Sequence, residues 1–197
     1  GGSYTLGDGN DTIYVDAVKD AKATFSVGEG NDSVHFKGTV TSSTVDLGDG
    51  EDVLKVADAI TKTTITASSG ANNIGLEEVD TVTLTSGDGK DTITASSTVK
   101  NSTIETGGGK DVVDITKAFD TNTLKLGEGN DSLRLAESTT SSTIYGGTGN
   151  DSFVLKKDAS KLKLQDNSGN NKLTVDGDVT SGTITFGDGT DSIVDVG

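Results

Sequence analysis

Eight aspartates, Asp11, Asp32, Asp52, Asp91, Asp111, Asp131, Asp151 and Asp191, recur at one fixed place, four residues after the start of a Gly-x-Gly frame. The frames begin at Gly7, Gly28, Gly48, Gly87, Gly107, Gly127, Gly147 and Gly187. Their second glycines are Gly9, Gly30, Gly50, Gly89, Gly109, Gly129, Gly149 and Gly189. Carboxylates and backbone carbonyls are hard oxygen donors, and glycine lets the backbone take φ > 0 and turn its carbonyls toward an ion. This donor set suits Ca²⁺, which accepts roughly 6–8 oxygens in loose geometry. Zinc or copper would call for His or Cys, and the chain has one His and no Cys.

Two further copies of the frame are degenerate. They start at Ser68 and Asn167, keep the second glycine as Gly70 and Gly169, and carry Asn72 and Asn171 in the aspartate column. The expectation is weak or missing Ca²⁺ at those two. All ten copies lie 19 to 21 residues apart and span the chain. A repeat of this length is the mark of a stacked, quasi-one-dimensional fold.

The elements that position the carboxylates follow from the columns beside them. Three residues before the frame stand Tyr4, Phe25, Val45, Ile65, Leu84, Ile104, Leu124, Ile144, Leu164 and Ile184. Six residues after its start stand Ile13, Val34, Leu54, Ile74, Ile93, Val113, Leu133, Phe153, Leu173 and Ile193. A third apolar column, Val15 through Val175, lies two positions further and ends at Asp195. Polar residues fill the places between, so both flanks of each turn read as strands with one buried face.

The fold class is therefore all-β: a parallel β-solenoid of ten coils, about 20 residues each, with two short strands and one Gly-x-Gly-x-Asp turn per coil. Residues 1–197 form a single repeat domain, read as a segment of a longer chain. At about 4.8 Å per coil the rod would be on the order of 50 Å long. Stacked carboxylates one coil apart repel by roughly 1 kcal/mol in bulk water and more where water is scarce. A divalent cation between successive turns converts that repulsion into a cross-link.

At this point the residues resemble a known family. Gly7-Asp-Gly-Asn-Asp-Thr-Ile13, Gly127-Glu-Gly-Asn-Asp-Ser-Leu133 and Gly146-Gly-Thr-Gly-Asn-Asp-Ser-Phe153 are similar to the RTX calcium nonapeptide, Gly-Gly-x-Gly-x-Asp-x-apolar-x. Only the copy at Gly146 has the leading glycine; elsewhere that place holds Leu6, Val27, Leu47, Thr106 or Phe186, among others. The usual roll carries the motif at both turns of a coil, whereas here the opposite turns, such as Ala57-Asp58-Ala59 and Ala136-Glu137-Ser138, lack it. One row of ions is expected, not two. The resemblance implies a bacterial protein exported by type I secretion and folded by external calcium, at the cell surface or outside the cell.

Other function classes fare less well. A formal charge of −15 disfavours nucleic acid as partner. No run of about 18 apolar residues suggests membrane insertion. His35 falls in an outward column and has neither Cys nor a second His to work with, so no nucleophile–base pair is expected and the chain reads as no enzyme. The many carboxylates could serve glycoside chemistry, but there is no Trp and no insertion between coils to form a cleft. A threonine ladder (Thr24, Thr44, Thr64, Thr83, Thr103, Thr123, Thr143, Thr183) resembles the ice-binding faces of one-sided calcium solenoids, yet the turn position that would carry Thr is charged in most coils. Sequons at Asn10, Asn31, Asn130 and Asn150 lie inside the turns, and a fifth is at Asn101. The function expected is a calcium-dependent structural module of a surface-layer type of protein, with calcium and further copies of itself, or adjoining segments of the same protein, as partners. The alternative is the repeat region of a secreted RTX adhesin, toxin or hydrolase whose activity lies in another domain.

Overall fold

The computed structural model describes residues 2–18 and 22–196 and, among these, contains strands and turns but no helix. Gly1 and Gly197, where the sequence offers no recognisable cap, lie outside the described residues. The chain is a parallel β-solenoid of ten coils. In the sixth coil the strands are Thr103–Glu105 before the glycine turn, Val112–Ile115 after it, and Phe119–Asp120. Like strands of neighbouring coils pair to give three parallel sheets of eleven, ten and eight strands.

Register follows the sequence columns: Ile104 pairs with Leu124, Val113 with Leu133 and Phe119 with Thr139. A one-residue slip would turn each apolar column outward, so the core itself fixes the register. The 19-residue coil keeps this match by losing its residue at a corner. Leu76 and Val79 are separated by two residues where Val56 and Ile60 are separated by three, and the strands on either side stay aligned.

The first two sheets are the strands the alternation predicts. The third is an addition. Its strands are two residues long, as in Val40–Thr41 and Ile60–Thr61, and place one residue inward per coil. That inward column, Val40, Ile60, Val79, Val99, Phe119, Thr139 and Ala159, is buried and closes the core from a third side. A two-residue strand is too short to leave a period-two pattern, which is why the sequence shows only an irregular second turn.

The corner after this third strand repeats an uncommon backbone. Ser42, Lys62, Thr81, Asn101, Thr121, Ser141, Lys161 and Ser181 all have φ between 48° and 58° without being glycine. For Thr81 and Thr121, branched at Cβ, such a conformation is strained in isolation. Stacking holds it: the N–H of Ser42 donates to Thr61 O at 3.0 Å, and those of Lys62 and Thr121 make the same bond to the following coil.

The glycine turn packs more tightly still. All ten second-frame glycines have positive φ, from 101° at Gly70 to 149° at Gly189. A Cβ on Gly109 would lie 1.5 Å from the carbonyl oxygen of Gly89 in the coil before, and one on Gly149 1.6 Å from that of Gly129. Turn backbones thus stack carbonyl against Cα, with no room for a side chain. Gly109→Ala is expected to destabilise by at least about 2 kcal/mol, combining left-handed strain with a backbone collision. Gly75 lies on the outer face of the second sheet with nothing closer than 3.7 Å to a built Cβ, so Gly75→Ala is expected to stabilise by about 0.4–1 kcal/mol. Urea midpoints of the two variants under identical ionic conditions check both.

Candidate metal-binding row

The aspartate column lies two residues before one inward apolar column and four before another, so strand parity sends its side chain to the same side. Asp32, Asp52, Asp91, Asp111, Asp131 and Asp151 are indeed buried, together with Asn72 and Asn171. Inside, they form a ladder. The backbone N–H of each column residue donates to Oδ1 of the column residue one coil later. Nine such bonds run in series from Asp11 to Asp191, at 2.7 to 3.1 Å.

Each carboxylate has a second oxygen. Oδ2 of Asp32, Asp52, Asp91, Asp111, Asp131 and Asp151 is buried, and no hydrogen-bond donor among the described residues reaches it. A buried acceptor without a partner costs about 1–3 kcal/mol, and more when charged. The strain shows in the acidities. Burial pushes Asp52, Asp111 and Asp131 up to about 6, and Asp151 to about 7 with the nearby Asp166 carboxyl adding to the effect. Burial raises Asp91 as well, partly offset by the nearby Ser86 hydroxyl, which donates to Thr106 O, and by the Asn72 N–H at Oδ1.

Another corner of the same coils provides a comparison. Ser43, Thr63, Ser102, Asn122 and Ser142 also point inward, and all but Ser43 accept backbone N–H groups across coils, as from Val82 to Ser102 Oγ at 3.0 Å and from Ser102 to Asn122 Oδ1 at 2.8 Å. These groups are neutral and donate onward: Ser102 Oγ to Lys100 O at 2.7 Å, Asn122 Nδ2 to Val99 O at 2.8 Å, Ser142 Oγ to Thr140 O at 2.9 Å. This ladder is interrupted at Val82 and Leu162, yet among the described residues none of its buried polar side-chain atoms is left without a partner. The aspartate ladder does leave such atoms.

The two asparagines are rungs of the aspartate ladder and differ from each other. Asn72 Nδ2 donates to Ser86 O at 3.1 Å and Gly70 O at 3.3 Å. Asn171 Nδ2 donates to Oδ1 of Asp166 at 2.8 Å. Asp166, one residue before the Asn167 frame, is a buried carboxylate that the column analysis passes over. Its signal was present in the sequence: an acid at an inward-parity position that holds Val27, Leu47 or Leu126 in other coils. On the outer side of the turn a second, exposed ladder runs the opposite way, with Asn10, Asn130 and Asn150 accepting at Oδ1 from the coil that follows.

The donor chemistry fits a hard divalent cation. Successive coils stack buried carboxylates from adjacent column positions beside glycine turns whose carbonyl oxygens lie against the glycines of the next coil. The arrangement is a row and not a cage. Among the described residues, no group of three or more His, Cys, Asp or Glu converges as a metal cluster, so the remaining ligands would have to be backbone carbonyls. The frame glycines named from the sequence supply that backbone; their second members fit nothing larger. His35 does have a hydroxyl partner, contrary to expectation: Ser33 Oγ lies 2.8 Å from Nε2 while the ring stacks on Tyr14. The pair are next-but-one neighbours on an outward strand face.

Compared with known protein families, with curated proteins and with solved structures, the chain matches none of them.

The raised acidities carry a pH dependence for the cation-free protein. An aspartate whose folded value lies above its ordinary 3.8 leaves the fold unpenalised below that value, and penalises it progressively as pH rises through the folded value of about 6 to 7. Calcium-stripped protein is therefore expected to be more resistant to urea at pH 4.5 than at pH 8. An unchanged or higher urea midpoint at pH 8 would contradict the burial of unpartnered carboxylates.

Proposed function

We propose that the chain is a calcium-dependent structural rod of a secreted bacterial surface protein, of the surface-layer type. Ca²⁺ between successive turns would take the second carboxylate oxygens of Asp32, Asp52, Asp91, Asp111, Asp131 and Asp151. The observation that carries the reading is the set of buried Oδ2 atoms without donors, on a ladder whose neutral counterpart at another corner leaves none. Bound calcium supplies positive charge and coordination to oxygens that the protein leaves unmatched. The chain's own residues do the rest: Oδ1 fixes each carboxylate to the preceding coil, and the glycines bring the turns within reach.

The setting is supported by the likeness of the turns to the RTX nonapeptide. Where free Ca²⁺ is scarce, repulsion and desolvation along the row oppose coil stacking. At millimolar Ca²⁺ the binding free energy becomes folding free energy. A protein made inside a cell and folded outside it needs such a difference. The outer faces carry threonines and ion pairs between coils, such as Arg134–Asp114 at 2.8 Å and Lys156–Asp176 at 2.6 Å. Pairs of this kind add little stability but keep the rod well solvated. A mechanical role, spacing or tying further copies of the same protein, suits a repetitive rod with a thin core.

Titration of calcium-stripped protein checks this reading at neutral pH. The β signal in circular dichroism is expected to be weak in chelator and to rise cooperatively at sub-millimolar to millimolar Ca²⁺. Asp111→Asn, in the middle of the longest run of column aspartates, is expected to shift the midpoint roughly three- to ten-fold upward, equivalent to about 0.7–1.4 kcal/mol. A fully formed β signal in excess chelator at pH 7.5 would sink the proposal.

A further inference from the structure

The second degenerate turn contains what the first lacks. Asp166 is 4% exposed and Asp151, in the coil before, 2% exposed, and Oδ2 of both is buried without a donor among the described residues. Asp166 is held from its other oxygen by Asn171 Nδ2 at 2.8 Å, while Asn171 Oδ1 accepts the N–H of Asp151 at 2.8 Å. Asn171 thus ties the Asp166 carboxylate to the backbone of Asp151. Space for Asp166 comes from Gly146, the one leading glycine in the chain: a Cβ there would lie 1.9 Å from Asp166 Oδ2 and 2.8 Å from Phe153 Cζ. In the Asn72 turn the corresponding residue is Ala67, and the amide of Asn72 ends on two carbonyls.

We infer that Asp166 replaces the carboxylate lost at Asn171, so that Asp151 and Asp166, linked through Asn171 and accommodated by Gly146, form a divalent-cation site between the eighth and ninth coils. The substitution moves a ligand from one arm of the turn to the other without removing it. Three features converge on this. The acid occurs where the column loses one, its buried unpartnered oxygen belongs to a carboxyl close enough to Asp151 to act on its acidity, and the leading glycine that makes the room occurs one coil earlier and in no other copy of the frame. The two asparagine turns are then inequivalent: the one at Asn171 holds an ion, and the one at Asn72 is closed by its own amide.

The inference rests on the calcium reading above, and a count of bound ions separates the two. Native mass spectrometry of the full chain in calcium gives the stoichiometry, and hydrogen exchange of the eighth and ninth coils in calcium gives the location. Asp166→Asn, which keeps shape and removes charge, is expected to lose one ion and to speed exchange in those coils, with the β signal retained. Gly146→Ala, which displaces the carboxylate, is expected to lose the same ion. Asn72→Ala is expected to leave the count unchanged. An unchanged count in both Asp166→Asn and Gly146→Ala would overturn the Asp166 site alone and leave the pair sharing a proton. A wild-type chain that binds no calcium would overturn both readings.

Discussion

Everything in this fold is arranged around a carboxylate that points the wrong way for its charge. Strand parity drives the aspartate of each turn into the core, where one oxygen takes the backbone N–H of the coil before and the other meets nothing. Where the acceptor is an aspartate the first contact is charge-assisted and worth more than an ordinary hydrogen bond; Asn72 and Asn171 make the neutral version of it. The second is a liability at the same spacing. A neutral side chain would make the first bond without incurring the second, as the serine, threonine and asparagine corner does with Ser102 and Asn122. On the calcium proposal, using aspartate makes the stability of the rod conditional on a bound cation.

The remaining features serve that row. Glycine at the second frame position lets turn backbones close to the separation at which a Cβ would overlap the neighbouring carbonyl. The three sheets lock the register, and with it the alignment of one carboxylate on the next. Length variation falls at a corner away from the turn, between Leu76 and Val79, so the row is unbroken even where a residue is missing. The left-handed Ser, Thr, Lys and Asn residues at the opposite end of the coil show how far stacking overrides local preference: what would be strained once is repeated eight times, seven of them under the same cross-coil bond.

Much of this was legible in the residues. The three apolar columns set the coil length, the parallel stacking and the two main strands, because each column repeats the same inward choice coil after coil. The third strand was not legible, since two residues cannot establish an alternation. The inward direction of the aspartates could have been taken from parity with Val113 and Ile115, but their ladder could not, because it depends on a backbone N–H one coil away. Asn72 and Asn171 look like gaps in a ligand column; in the structure they are intact rungs. Asp166 was overlooked for a related reason: a column read for its consensus hides the single member that departs from it.

The ladder has a direction. The inner ladder has each turn donate its N–H to a side chain about 20 residues later in the chain, so there a turn is completed by its successor, whereas the outer asparagine ladder runs the other way. A polypeptide delivered to folding conditions from its amino end would always trail one uncompleted turn behind the newest coil. Delivered from its carboxyl end, every arriving turn would find its acceptor already in place. On the inner ladder, then, the order in which coils form decides whether a turn closes at once or waits for one more coil.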